Sequence, residues 1–381
     1  MADRYDVIVA GVGGMGSAAA FHLARRGRRV LGLERFTIPN EMGSSHGASR
    51  IIRLAYFEHP SYVPLLRRSY ELWRELERGF GSQLLHMTGC IHLGAPGTTV
   101  FDGCLRSCRE HDLEHEVLDS AEVMGRYPAY RLPAETMAVV EAEGGFLVPE
   151  KCIEAHAAGA RAAGADLRPG EAVMDWEPIA GGVRVSTAQG SYEAARLVLT
   201  AGSWNGKLAP ALAPLLQPER QVLAWLEVAR PELFEQSAFP VFVMEVPEGM
   251  YYGFPLFMGG PPGFKLGRFH HRHEPADPDL LDRGGAGPED EDLLRSFAAR
   301  YLPDGAGRAL AMKVCMFTNT PDEHFLIDLH PELPQVIVGA GFSGHGFKFC
   351  SVVGEMLADL AIDGGTRHDM GLFRAGRFIA R

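Results

Sequence analysis

Cysteine is scarce: the 381 residues hold six, at positions 90, 104, 108, 152, 315 and 350. So few, so irregularly spaced, exclude a disulfide framework and point to a reducing compartment. Positive charge is also short. Thirty-seven Lys and Arg against 48 Asp and Glu leave a formal net charge of −11, the wrong sign for gripping a nucleic-acid backbone. No apolar run approaches the ~18 residues of a membrane span. The opening Met-Ala-Asp-Arg-Tyr-Asp has neither the charged start nor the apolar stretch of a signal peptide. Repeats and low-complexity tracts are absent. The expectation is a soluble, cytoplasmic, mixed α/β protein with no nucleic-acid or membrane partner.

What is present is glycine, 45 residues, with 25 prolines, enough for many tight turns. At roughly 100–200 residues per domain the length fits two domains or one two-lobed unit. Tyr5 to Ala10 (YDVIVA) is a short apolar run ending in glycines, a buried strand. Met15 to Gly27 carries helical spacing with a glycine stop, and Val30 to Glu34 (VLGLE) is a second buried strand. Strand, helix and strand in thirty residues make one βαβ unit. Residues 61–79 form an amphipathic helix with Leu65, Leu66, Leu72, Trp73 and Leu76 on one side. Further helices are expected near 99–112, 150–164, 289–301 and 351–362. A hairpin is expected at 183–193, then a separate buried strand at Leu197–Ala201 and another at Gln335–Ala340; 217–275 reads as β-rich. Nucleotide-fold segments therefore sit at the start, middle and end of the chain, with β-rich stretches between. That pattern predicts two interleaved domains.

Gly11-Val-Gly13-Gly14-Met-Gly16 is a G-x-G-x-x-G run that follows a predicted strand and opens a predicted helix. Gly11 permits the tight turn, Gly13 lets backbone amides approach a pyrophosphate, and Gly16 allows close helix–strand packing. The helix N-terminus offers unpaired N–H groups and a partial positive charge to the same anion. Glu34, at the end of the next strand, can accept ribose hydroxyls, which disfavours a 2′-phosphate. This signal stands for FAD or NAD alike. The tie is broken by two further stretches: residues 40–53 (NEMGSSHGASRIIR), with two arginines three apart, and a second glycine-rich strand-to-helix turn, Gly341-Phe-Ser-Gly344-His-Gly346-Phe-Lys-Phe. A long, buried FAD needs both; a nicotinamide cofactor rarely does.

With GVGGMG, GSSHGASRIIR, the YVPL…ELW helix, MYYGFP, KLG, VCMFTNTPDEHFLIDLHP and GFSGHGFKF, the chain resembles the monomeric sarcosine oxidase family over essentially its whole length. That family, within the D-amino-acid oxidase superfamily, includes N-methyltryptophan and pipecolate oxidases. The resemblance implies an α/β fold: a Rossmann-like FAD-binding domain (1–83, 146–216 and 315–381) interleaved with a β-sheet-rich substrate domain (84–145 and 217–314). It implies FAD linked covalently through Cys315, with nearby cations such as Lys313 favouring the thiolate. The implied cofactor contacts are Gly11, Val12, Gly13, Gly14, Met15, Gly16, Glu34, Arg35, Ser44, His46, Ser49, Arg50, Val173, Ala201, Gly202, Gly341, Gly344, Gly346, Phe347 and Lys348. Arg53 and Lys348 match the pair that binds the substrate carboxylate, a planar fork and a point charge. Lys265 matches the lysine that promotes reaction with O₂, Arg50 a residue beside the flavin ring, Tyr252 a tyrosine lining the substrate pocket, and His270 completes the catalytic set.

The chain departs from the family at three places. Phe317 stands where a tyrosine is usual, Phe269 occupies the histidine position with His270 one residue late, and Ser45 and Ser49 replace a His and a Thr. The reaction implied is oxidation of a secondary or N-methyl amino acid by O₂, giving an imine and H₂O₂, in a monomer. Competing readings are an amine dehydrogenase with another electron acceptor, a pipecolate- or N-methyltryptophan-type oxidase, and a non-catalytic nucleotide-binding regulator.

No metal is expected. Cys104, Cys108, His111 and His115 would span about 16 Å along one helix and cannot converge on one ion; they read as a solvated helix face. His270-His-Arg-His273 reads as a pocket rim or surface patch.

Overall fold

The computed structural model describes residues 4–378. Strand β1 (Arg4–Ala10) lies inside an eight-stranded sheet, parallel to β2 (Val30–Glu34) on one side and to Gly190–Leu199 on the other. Asp166–Pro169 extends the parallel run beyond β2, and Val336–Ala340 extends it beyond Gly190–Leu199. Ile8, Val9 and Ala10 are fully buried. A strand covered on both faces needs the continuous apolar run its sequence shows. Helix α1 (Gly14–Arg25) covers one face, packed between Pro149–Ala162 and Cys350–Asp363.

A second eight-stranded sheet runs in the order Ala309–Asn319, Gln217–Leu226, Phe264–Arg268, Gly249–Phe254, Val241–Val246, Cys90–Gly94, Met137–Glu141, Glu116–Asp119. It has its own aromatic core, including Phe234, Phe239, Phe242, Phe264 and Phe297. Between the sheets, β3 (Arg50–Ile52) pairs with Gly145–Leu147, which also pairs with Leu85–Met87. Helix α2 (Val63–Phe80) buries Leu65, Leu66, Leu72, Trp73 and Leu76, and ends at Gly81 with φ 71°. Helix α3 spans Thr99–Glu110. No helix among the described residues is long and apolar enough to cross a membrane.

Several expectations need correcting. The second hairpin strand and the strand expected at Leu197–Ala201 are one element, Gly190–Leu199, paired antiparallel with Gly182–Thr187 and parallel with β1. No glycine or proline interrupts 191–199, so nothing stops the extension. Within 40–53 there is a strand, β3. The strand Ala309–Asn319 carries no mark in the sequence pattern, and the expected boundary at 314/315 falls inside it. Cys104 and Cys108 are buried, not solvated: Cys104 Sγ sits 3.3 Å from the Ala55 carbonyl oxygen. His111 and His115 lie beyond the end of α3.

Candidate active site

The three fingerprint glycines do what their spacing requires. Gly11 turns with φ 90°, and a side chain there would strike Thr200 and Ala201. A Cβ at Gly16 would overlap the Gly11 carbonyl oxygen, so helix and strand approach too closely for any other residue. At Gly13 a Cβ would meet nothing; the backbone faces open space, as an approaching pyrophosphate demands. Glu34 accepts from the Val12 N–H (2.8 Å) and the Phe36 N–H (3.0 Å). Burial pushes its carboxyl up, against those backbone bonds. A carboxylate has about four acceptor positions, so two stay available to ribose hydroxyls.

This turn opens into a cavity of about 420 Å³ that runs from Glu34 to Lys348. It gathers Gly11, Gly13, Gly14, Met15, Glu34, Arg35, Ser44, Arg50, Arg53, Val173, Ala201, Gly202, Tyr252, Cys315, Gly341, Gly344, Gly346, Phe347 and Lys348. Val12, Gly16, His46, Ser49 and Lys265 stand behind that lining. Arg35 is held by Asp279 at 2.6 Å.

Cys315 lies on the strand Ala309–Asn319, opposite Gln221. Its Sγ is 3.6 Å from the Ser44 carbonyl oxygen and 4.0 Å from Arg50 Nη2. The expectation for Lys313 is corrected here: its ammonium is engaged by Glu41, and the cation at the sulfur is Arg50. Arg50 also donates to the Ser44 and Ser49 carbonyls, 2.8 Å each.

The loop 44–49 is braced from two sides. Glu150 accepts from the Gly47 and Ala48 N–H groups at 2.7 and 3.1 Å. Lys265 Nζ donates to the Gly47 and Ser49 carbonyls (2.7 and 2.6 Å) and to Ser49 Oγ (3.0 Å), filling its three donors. Burial, reinforced by Arg50, pushes the Lys265 pKa well below its ordinary value. The His46 ring is buried with neither nitrogen hydrogen-bonded among the described residues, and burial holds its pKa down at about 3.

Arg53 and Lys348 meet beside the Tyr56 ring, at 4.2 and 5.2 Å from its centroid. Burial, with Arg53 adding repulsion, pushes Lys348 down to about 7. Its Nζ donates to the His345 carbonyl at 2.7 Å, and Trp73 of α2 donates its indole N–H to the Lys348 carbonyl at 2.9 Å. The apolar stripe of α2 thus fixes the backbone of a site residue. Arg53 bonds both oxygens of Glu58 at 2.8 Å.

His270 is not brought to the cavity. Its Nδ1 is 3.0 Å from Glu219 and its Nε2 is 3.1 Å from Glu323, whereas Phe269 and Phe317 line the wall, their centroids 5.3 Å apart. The left-handed backbone of His270, φ 53°, turns consecutive side chains different ways. Sequence reading missed Glu58, which lines the cavity, and Glu141, which accepts from the Leu54 and Ala55 N–H groups just after Arg53. Neither has a local signal, since each depends on which segment the fold places opposite.

A glycine turn at the C-terminal edge of a parallel sheet, a buried carboxylate at the end of the next strand and a long cavity ending at buried cations define a dinucleotide-dependent oxidoreductase. Residues 6–360 match the FAD dependent oxidoreductase (DAO) family, and the chain belongs to it. It is 43% identical to the monomeric sarcosine oxidase of Streptomyces avermitilis, covering 100% of this chain and 99% of that one. The N-methyl-L-tryptophan oxidase of Yersinia pestis is 35% identical, covering 98% and 99%. Among solved structures, the open form of NikD, titled an unusual amino acid oxidase essential for nikkomycin biosynthesis, matches with a TM-score of 0.83. Its identity is 28%, over 98% of this chain and 97% of that one. The residues present fit FAD: the open face of Gly13, the spare acceptor sites of Glu34 and the unpartnered His46 ring all leave room for a bound group.

Proposed function

We propose that this chain is an FAD-dependent oxidase of secondary amino acids, with sarcosine or a related N-methyl amino acid as substrate and O₂ as acceptor. The observation that carries the reading is the pair of buried cations, Arg53 and Lys348, on the lining shared with Tyr252 and Cys315. Burying two cations is costly without an anion to compensate, and a substrate carboxylate supplies one beyond Glu58.

FAD, when bound, would take up the two electrons and hydrogen lost as the substrate's CH–NH unit becomes an imine, and would pass them to O₂, giving H₂O₂. The chain's own groups do the rest. Arg53 and Lys348 orient the substrate by its carboxylate, so that the amine end lies towards Tyr252 and the Phe269–Phe317 wall. That wall excludes water and offers no hydrogen bond to a polar side chain. Arg50 places positive charge beside the loop 44–49, where it favours reduced oxygen species, and Lys265, bonded to the Gly47 and Ser49 carbonyls, holds that loop in place and adds charge there whenever it is protonated. Cys315 Sγ, on the lining next to Arg50, is the point of covalent attachment. The apolar wall favours a second reading within the same class, an N-methyltryptophan-type substrate with a large apolar side chain.

The first sheet and its helices support 1–83, 146–216 and the chain after Asn319 as the FAD unit, and the second sheet supports 84–145 with 217–319 as the substrate unit, so the expected boundary at 314/315 moves to the end of the strand Ala309–Asn319. We infer a monomer, as the name of the Streptomyces relative suggests, and a cytoplasmic location, in keeping with six cysteines that form no disulfide.

A peroxide assay under air with sarcosine, N-methyltryptophan, proline and pipecolate tests the reaction and ranks the substrates. Peroxide release with one of the four supports the oxidase. Turnover seen solely with an artificial electron acceptor overturns it in favour of a dehydrogenase. Flavin that stays with the acid-precipitated wild-type protein but leaves Cys315→Ala supports the covalent link.

A further inference from the structure

Behind the Phe269–Phe317 wall lies a cluster that the amine-oxidising site does not use. Glu219 projects from the strand Gln217–Leu226, and His270 and His273 come from the turn that follows Phe264–Arg268. One ligand atom from each lies within 4.8 Å of the other two. We propose that Glu219, His270 and His273 form a binding site for a zinc-class divalent cation, separate from the cavity that takes FAD and substrate.

Three features carry this. The first is the donor set: two imidazoles and a carboxylate are a common zinc triad that leaves a fourth position for water. Zinc bonds of about 2.0–2.2 Å require the three atoms to draw together slightly, and the exposed His273 side chain can swing to do so.

The second is the surrounding shell, which orients each ligand as metal sites require. A carboxylate can only accept, so His270 Nδ1–H donates to Glu219 at 3.0 Å, and a bound cation would take the place of that proton; the Glu323 carboxylate, 3.1 Å from Nε2, flanks the other side of the ring. The Glu219 oxygens are fixed by Gln221 Nε2 at 2.6 Å and Asn319 Nδ2 at 3.1 Å.

The third is His273. A His270–carboxylate ion pair needs no second imidazole. Yet the His273 ring lies parallel to that of His270, centroids 5.4 Å apart and planes 11° apart, with no ring hydrogen bond or ion pair of its own among the described residues. Two facing imidazoles repel if both are protonated; a shared cation makes them a chelate. His270 and His273 both hold left-handed backbone, φ 53° and 55°. Non-glycine residues pay to adopt it, and here it puts both rings on one side of the turn. A bound ion would tie the Gln217–Leu226 strand to the turn that begins at Phe269.

The test is titration of the purified, flavin-loaded enzyme with Zn²⁺ by isothermal calorimetry, with zinc-edge X-ray absorption to identify ligands. One equivalent per chain, with imidazole and oxygen scattering at about 2.0–2.2 Å, is expected. His273→Ala, at an exposed position, should abolish that equivalent. Glu323→Gln should weaken affinity roughly 10–100-fold, the usual cost of losing an orienting partner. Both variants should keep the wild-type flavin spectrum, which shows that they fold. Absence of saturable Zn²⁺ binding, or binding unchanged in His273→Ala, overturns the proposal and leaves His270 as an ion-paired structural residue. Neither result bears on amine oxidation.

Discussion

The Arg53 guanidinium and the Glu58 carboxylate pair through two 2.8 Å contacts inside the cavity, with Arg53 almost fully buried. Burial pushes Glu58 up, but Arg53, His345 and Lys348 together outweigh it and hold the carboxyl below its ordinary value. A substrate carboxylate must therefore compete with Glu58 for the same fork. Glu58→Gln removes the competing charge while keeping a hydrogen-bond acceptor. KM for the amino-acid substrate should fall by about tenfold, equivalent to ~1.4 kcal/mol, with little change in kcat. Steady-state peroxide kinetics check this; an unchanged or higher KM would mean that Glu58 assists the fork.

Lys348 gives a pH dependence with a definite sign. Its pKa is pushed down to about 7, so the free enzyme loses that positive charge as pH rises through 7. A competitive inhibitor bearing a carboxylate but no amine isolates this group. Its Ki should be flat below pH ~7 and should rise by up to about tenfold per pH unit above it. Lys348→Met should bind weakly at every pH and lose that dependence. A wild-type Ki flat from pH 6 to 9 would show that Lys348 does not meet the carboxylate.

Glu141 acts at one remove. It accepts from the Leu54 and Ala55 N–H groups and lies 2.9 Å from His92 Nε2, while the Ala55 carbonyl accepts from Arg53 at 3.0 Å. Glu141→Gln turns an amide group towards a backbone N–H and loosens the Arg53 segment. KM should rise ~10-fold or more with kcat nearly preserved, the pattern of lost ground-state binding. A matched drop in kcat with KM unchanged would contradict a positioning role.

The fingerprint glycines separate folding from cofactor binding. Gly16→Ala forces a Cβ onto the Gly11 carbonyl oxygen and should destabilise by ~1–3 kcal/mol, the usual cost of overpacking, seen as a lower Tm. Gly13→Ala meets no protein atom, so its apoprotein should melt like wild type while FAD binds more weakly. Equal Tm losses in both apoproteins would refute the distinction.

Much of this was legible in the chain order. The run 11–16 between two apolar strands is a local signal, because turn conformation and helix start depend on neighbouring residues. The amphipathic stripe of α2 likewise announces a buried face, though not that Trp73 would anchor Lys348. Less visible was the strand Ala309–Asn319, whose exposed and buried positions follow no clean alternation.

The βαβ opening, the dinucleotide turn and the chemical types available to the site are written locally in the chain, since they rest on spacing and backbone preference over a few residues. Tertiary structure alone decided their company. It brought Arg50 rather than Lys313 to the Cys315 sulfur, paired Arg53 with Glu58, and turned His270 away while Phe269 took the wall. The reason is range: periodicity tells which face of an element is buried, whereas the partner on that face is chosen by packing between segments far apart in the chain.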